Sequence, residues 1–323
     1  MIEIENYTKR FFSFVANKEV SLKVGHGVIH GFIGPNGSGK TTTIKTLIGA
    51  YTLDEGKMLI NGYRPGSREA NRLIGYIPER ASFPSHLNCI DYLTSMGTLS
   101  GIPSRLAKAK AREILTTLAM TDFAKRKPNK FSSGMQKKIL LAQALMNDPV
   151  LLILDEPSAN LDPTARKELQ DELLRLRQQG KSILISSHIL SELERIVDEV
   201  TFLFYGEVLY TGKISEIETQ VKGVYVKTSD NALAKQLLEA KDFVVTGDLL
   251  TELFVVAETP AKVREINELI LSSPTLAIKT FRANDLQSVY DELLAKAIRS
   301  HSGHQTLKRK KVNENIYLGE VPR

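Results

Sequence analysis

Residues 34–42 constrain this chain more than any other stretch. They read Gly34-Pro35-Asn36-Gly37-Ser38-Gly39-Lys40-Thr41-Thr42, and the spacing Gly34-x4-Gly39-Lys40-Thr41 is that of a phosphate-binding P-loop. An apolar, strand-like run from Val28 to Ile33 leads into it and a helix-like run from Thr42 to Ile48 follows, which is the context the motif needs. The glycines let successive backbone N–H groups curl into a concave nest for phosphate oxygens. The helix start adds free N–H groups and the positive end of its dipole. In such a loop Lys40 reaches the β- and γ-phosphates and the Thr41 hydroxyl holds Mg²⁺. The bland alternative is a Gly-rich turn that happens to carry Lys. The loop by itself does not choose among kinase, GTPase, motor and transporter ATPase.

A chain of 323 residues exceeds one ordinary core, so two domains are expected. It contains no apolar run of about 18 residues, and no membrane span is expected. The opening MIEIENYTKRFF carries charges where a signal peptide needs an apolar core. Cys89 is the single cysteine, so no intrachain disulfide can form, which fits the cytoplasm. The net charge is +6, and half of it lies in the last 23 residues, where Lys308, Arg309, Lys310, Lys311 and Arg323 face only Glu314 and Glu320. The body is therefore close to neutral, which argues against a nucleic-acid binder.

Strands are expected at 2–5, 20–24, 28–33, 57–60 and 74–77, with a helix over 42–49. From Leu87 to Leu118 the apolar spacing turns helical, interrupted at Gly101-Ile102-Pro103. Phe131 to Leu145 reads as a short polar turn and then an apolar helix, so residues 83–145 form a helical subdomain between strands. The run Val150-Leu151-Leu152-Ile153-Leu154 has the texture of a strand buried on both faces of a parallel sheet. A helix over 164–179, a strand over 182–186, a helix over 189–197 and strands over 200–204 and 208–210 complete this part. Beyond Gly212 the order is strand 224–228, helix 230–240, strand 243–246, strand 253–256, helix 261–271 and strand 276–281. That is the βαββαβ order of a ferredoxin-like unit, followed by a helix over 285–297 and a polar, basic tail.

Asp155-Glu156 ends the buried strand well downstream of the P-loop. In a P-loop ATPase an acid there holds Mg²⁺, here Asp155, and the next residue, Glu156, orients or deprotonates the attacking water. A helix N-cap pair after a strand is the plain alternative.

At this point the sequence resembles the ATP-binding-cassette (ABC) ATPases. Phe131-Ser132-Ser133-Gly134-Met135 is similar to the family signature Leu-Ser-Gly-Gly-Gln, and it stands about 20 residues before the Asp-Glu pair at the opening of a helix. The resemblance covers about residues 1–215. It implies an α/β cassette with a parallel-sheet core, an antiparallel β part and the helical subdomain. To this the chain adds a small α+β ferredoxin-like domain over 216–299 and a basic tail over 300–323.

The resemblance also implies that two cassettes, identical or paralogous, close head to tail around two ATP molecules. Ser132 and the Gly134 amide would then meet the γ-phosphate held by the partner's P-loop, a second use of a helix N-terminus. Ser158-Ala159-Asn160-Leu161-Asp162 resembles the loop joining the two sites. His188, after Ser186-Ser187, resembles the switch histidine that senses the γ-phosphate. Phe11 falls where the family has an aromatic that stacks on adenine, and its neighbour Phe12 could serve instead. Three departures stand out. The family usually has Gln at the position of Glu79, where a carboxylate could still reach Mg²⁺ through water while adding negative charge. Ser133 replaces the first signature glycine, and Met135 replaces the signature Gln.

Two classes compete for what such an ATPase drives. The first is the motor of a membrane transporter, held at the cytoplasmic face of the membrane by a separate integral permease. Gly75-Tyr76-Ile77-Pro78-Glu79 and the appended C-terminal domain resemble exporter-type cassettes that move drugs, peptides or lipids. The second is a soluble cassette ATPase acting on ribosomes or nucleic acid. Translation-factor relatives carry two cassettes and chromosome-type relatives a long coiled coil, and neither pattern is present. The basic tail could lie on anionic lipid, touch RNA, or remain a solvated charge run.

Overall fold

In the computed structural model the described residues are 1–216, 223–257 and 259–283, with a few positions between 289 and 297. They form two compact units, Met1–Gly212 and a second beginning at Lys213.

The first unit contains two sheets. The hairpin β1 (Ile2–Phe11) and β2 (Phe14–Val24) pairs antiparallel, and β4 (Glu55–Ile60) adds to the other edge of β1. Both hairpin strands outrun the expected 2–5 and 20–24. The register slips between Ile4 and Tyr7, Tyr7 and Lys9, and Lys9 and Arg10, and Asn6 and Glu19 sit at φ 50° and 49°. Such irregularities break the two-residue alternation that marks a strand in sequence, although pairing continues.

The larger sheet has β3 (Ile29–Ile33), β5 (Ile74–Ile77), β6 (Leu151–Leu154), β7 (Ser182–Ser187), β8 (Glu199–Phe204) and β9 (Glu207–Lys213), in the order β5-β6-β7-β3-β8-β9. Neighbours from β5 through β8 run parallel. Every residue of β3, β6 and β7 is buried, which explains their unbroken apolar runs. Tyr205 and Gly206, at φ 46° and 80°, make the two-residue turn from β8 into β9. Connections in this unit include α1 (Lys40–Leu47) after β3, α2 (Arg68–Leu73) before β5 and α6 (Pro163–Gln178) between β6 and β7. Helices α3 (Cys89–Leu99), α4 (Ser104–Thr117) and α5 (Ser133–Leu145) make the helical subdomain. A core of Ile2, Ile4, Val20, Leu22, Phe32 and Ile44, with Leu151 and Leu184, joins the antiparallel sheet to the parallel one.

The helix expected over 189–197 is not formed. Only Leu190–Glu192 is helical, as one 3-10 turn. Ser187 Oγ accepts from Ile189 N at 3.0 Å, which turns the chain at once after the strand. Leu190, Leu193, Ile196 and Val197 are buried, and Asp198 N bonds Ile29 O at 2.8 Å to start β8. The apolar spacing is met by two consecutive turns. Conversely, α2 escaped the sequence reading because six residues carry little periodicity. Its signal was the cap: Ser67 Oγ accepts from Ala70 N.

The second unit runs β10 (Gly223–Thr228), α7 (Asn231–Glu239), β11 (Val245–Gly247), β12 (Leu253–Val256), α8 (Pro260–Leu271) and β13 (Ile278–Ala283). The sheet order is β11-β12-β10-β13 with all neighbours antiparallel, the ferredoxin-like arrangement. Val224, Val226, Leu253 and Val255 share a core with Ala234, Leu238, Ile266 and Ile270 from the two helices. The expected helix over 285–297 lies largely outside the described residues, and the tail over 300–323 lies wholly outside them.

Candidate nucleotide site

The P-loop leaves the buried end of β3 and is fastened on both sides. Gly34 N donates to Ser187 O at 3.2 Å, Ser38 N to Pro35 O at 3.1 Å, and Gly206 N to Ser38 O at 2.9 Å. A side chain at Gly34 would place its Cβ 2.2 Å from Leu203 O, and one at Gly39 2.4 Å from Asn17 Nδ2. Gly37 and Gly39 also sit at φ 77° and 103°. Only glycine satisfies both demands.

The loop delivers Lys40 and Thr41 to the ends of β6 and β7. Lys40 Nζ donates to Gly34 O at 2.7 Å and Pro35 O at 3.2 Å and lies 3.2 Å from Glu156 Oε1. The Thr41 hydroxyl donates to Asp155 Oδ1 at 3.2 Å. Ser186 Oγ donates to the same oxygen at 2.8 Å and accepts from Glu156 N at 2.9 Å. His188 Nδ1 is 2.8 Å from Glu156 Oε2. A carboxylate only accepts, so Nδ1 carries the proton. Glu156 holds φ 45°, a strained value for a non-glycine residue. Burial raises the Asp155 carboxyl above its ordinary range, against the hydrogen bonds from Ser186 and Thr41. Burial lowers the Lys40 ammonium, against the pull of Glu156 first.

The structure thus brings together Lys40, Thr41, Asp155, Glu156 and His188 from three separate segments. Glu79 follows β5, beside β6, and its charge acts on both Asp155 and Lys40. Its carboxylate is half exposed, with Arg80 Nε 4.0 Å away. Ser132 and Gly134 stand at a different helix start. Ser132 Oγ caps α5 by accepting from Met135 N at 3.4 Å. The substituted Ser133 turns its hydroxyl to Asn160 O at 2.9 Å. Phe11 ends β1 with its ring edge-on to Tyr51 at 5.3 Å. Phe12, at the hairpin tip with φ 53°, is fully exposed.

Three residues here escaped the sequence reading as site members. Ser186 stood in the pattern but without a role. Asn17, fully buried in β2, donates to Gly39 O at 3.4 Å. Lys137 donates to Pro78 O at 3.1 Å and Glu79 O at 2.5 Å. Burial pushes its ammonium down to about 8, against the pull of Glu79, Asp155 and Glu156. The signal for Lys137 was present. It occupies the same helix face as Leu140 and Leu141, three and four residues on, and that face is buried.

The residues fit a nucleotide with a hard cation. Ser38 Oγ is buried beneath the loop with no protein partner. The Thr41 hydroxyl and Asp155 carboxylate are oxygen donors suited to Mg²⁺, which takes one or two protein ligands and completes its shell with phosphate and water. Among the described residues no group of three or more His, Cys, Asp or Glu could hold a metal unaided.

Comparison with known proteins identifies the family. The family model described as ABC transporter matches residues 17–159. The chain is 36% identical over 300 residues to an ABC transporter ATP-binding protein of Mycoplasma pneumoniae, covering 91% of this chain and 92% of that one. It is 31% identical over 225 residues to the linearmycin resistance ATP-binding protein of Bacillus subtilis, covering 69% and 72%. Among solved structures, an ATP-binding subunit of an ABC transporter superposes with TM-score 0.62 at 30% identity, covering 68% of this chain and 92% of the other. With a P-loop, an Asp-Glu pair and a signature helix on this sheet, and a relative matched almost end to end, the chain belongs to the ABC transporter ATP-binding proteins and is an ATPase.

Proposed function

We propose that this chain is the ATP-hydrolysing motor of an exporter, acting on a separate integral membrane permease from the cytoplasmic face and pairing with a second cassette. The observation that carries the ATPase part is the convergence of Lys40, Thr41, Asp155, Glu156 and His188 at the end of the parallel sheet. The exporter part is supported by the linearmycin resistance relative, by the stretch Gly75 to Glu79 and by the ferredoxin-like unit after the cassette. Among the described residues no helix is long and apolar enough to cross a membrane, so the membrane path would belong to another chain.

The chemistry follows from the contacts. The P-loop amides and the start of α1 hold the phosphates of ATP. Lys40 shares its amine among two carbonyls and Glu156, and phosphate oxygens compete for that amine. Winning it releases the Glu156 carboxylate to take the proton of the attacking water. The water oxygen then bonds the γ-phosphorus while the bond to the β–γ bridging oxygen breaks, giving ADP and phosphate. His188 holds Glu156 by its second oxygen. Thr41 and Asp155 would hold Mg²⁺, which neutralises phosphate charge when bound. Ser132, which is exposed, and Gly134, at the start of α5, would complete the partner cassette's site.

The test is a pull-down of tagged chain carrying Glu156→Gln, with ATP, from detergent-solubilised membranes of its own host. Recovery of a multi-span hydrophobic protein supports the transporter motor and supplies the subunit that decides cargo. Recovery of ribosomal or nucleoid components alone overturns the transport reading and leaves the ATPase standing.

A further inference from the structure

The buried amine of Lys137 is used by none of the steps above. It stands on the second turn of α5, the helix whose N-terminus carries Ser132 and Gly134. Its side chain is 6% exposed and ends on two backbone carbonyls, Pro78 O at 3.1 Å and Glu79 O at 2.5 Å. A buried ammonium needs compensation, since desolvation alone disfavours its charge. Two carbonyl dipoles give part of it. Three carboxylates supply the rest: Glu79, Asp155 and Glu156 all act on this amine. The same three act on Lys40. The region around the P-loop therefore carries three acids and two buried amines. A polyphosphate brought to this place adds further negative charge, and losing one amine would leave three carboxylates against Lys40 alone. The hydrogen bonds run to the backbone of the segment that carries Glu79, so the amine also fixes where that segment lies relative to α5.

We infer that Lys137 is a positioning residue of the ATP site: it clamps the Pro78–Glu79 segment to the signature helix and supplies the charge that lets a third carboxylate, Glu79, stand beside bound phosphates. The inference rests on the reading of this site as one that binds Mg·ATP. It goes beyond it in giving a role to a residue that touches neither nucleotide nor metal. The consequence is a specific coupling. Removing the amine harms nucleotide binding because of Glu79, so neutralising Glu79 repairs most of the damage. The double substitution restores the net charge of the intact site.

The test is a double-mutant cycle on the full chain, reading the Kd of Mg·ATP by calorimetry and folding by thermal melting. Lys137→Met keeps the apolar stem and should raise Kd about tenfold by leaving the carboxylates unbalanced. The same change made together with Glu79→Gln should raise Kd less than about threefold over Glu79→Gln alone. Should Lys137→Met not fold, Lys137→Gln retains a donor for the carbonyls and tests the charge by the same cycle. An equal loss with Glu79 and with Gln at position 79 makes Lys137 a structural filler and overturns the inference, and so does an unchanged Kd in the Glu79 chain. An intact chain that does not bind Mg·ATP overturns the site reading itself, and the inference falls with it. Binding without coupling overturns the inference alone.

Discussion

The two helix starts that carry the P-loop and the Ser132 segment are built differently. The start of α1 is sunk between β3, β7 and the β8–β9 turn. It is fastened by Gly34 N to Ser187 O, Gly206 N to Ser38 O and the Lys40 amine. Tyr7 Oη also meets Thr46 Oγ1 at 2.7 Å inside the core. The start of α5 has an exposed rim, with a 3.4 Å cap from Ser132 and the Ser133 bond to Asn160 O. A buried start can fix its N–H groups at known positions without a ligand. An exposed start with weak local caps has orientation but no enclosure, and it gains one only when something closes over it. On the proposed function, the contrast means that one phosphate site is prepared within the chain and the other would be half of a site.

Four expected outcomes test this contrast. The largest is for Glu156→Gln. Hydrolysis should fall about a thousandfold, the middle of the range for losing a general base. ATP should still bind, and gel filtration with Mg·ATP should show a stable dimer. A variant that stays monomeric, while the intact chain hydrolyses, would sink the half-site at α5. Next, Lys40→Ala should weaken ATP binding about a hundredfold, since it removes a charged donor to two phosphates and frees Glu156 at once. Unchanged affinity would mean the α1 start does not hold nucleotide.

Ser132→Ala is the discriminating change at the other start. It should cost about 1 kcal/mol of helix cap and lower turnover about tenfold, yet leave the ATP affinity of the isolated chain unaltered. A loss of affinity equal to the loss of turnover would erase the distinction between the two starts. The smallest effect concerns the anchor of α1. Burial pushes the Tyr7 phenol up to about 12, with the Thr46 bond opposing. Its folded pKa lies above the ordinary value, so the stability from neutral Tyr7 is fully present below about pH 10 and is lost as pH rises through about 12. Tyr7→Phe should remove that part of the alkaline loss and cost about 1 kcal/mol at neutral pH through the broken hydrogen bond. Melting temperatures taken from neutral to alkaline pH, with identical curves for both chains, would show that Tyr7 plays no such part.

The parts of the site legible in sequence were those with fixed local spacing. The P-loop and Asp155-Glu156 after an apolar run needed only neighbouring residues to be read, and the Ser132 start needed its place about 20 residues before that pair as well. Buried strands were equally plain, because β6 and β7 have no solvent face to interrupt their apolar run. The strands β1 and β2 were shortened in the reading because bulges scramble alternation, and the segment after His188 read as a helix because two tight turns bury the same apolar spacing. Lys137 illustrates the harder case. Its place on an apolar face was visible, but the carbonyls it grips lie 58 and 59 residues away.

The sequence by itself determined the strand–loop–helix that binds phosphate, the acids that must stand opposite it and the βαββαβ order of the second unit. Each of these is written in chemistry that acts over a few residues: glycine freedom, strand burial, helix capping. Only the tertiary structure decided that His188 Nδ1 meets Glu156, that Ser186 bridges Asp155 and the Glu156 amide, that Ser133 turns to Asn160 and that Lys137 clamps the Glu79 segment. Those contacts depend on which strands lie side by side and how far each runs before it turns. Sheet order and register are set by the whole core, and no short stretch of residues contains them.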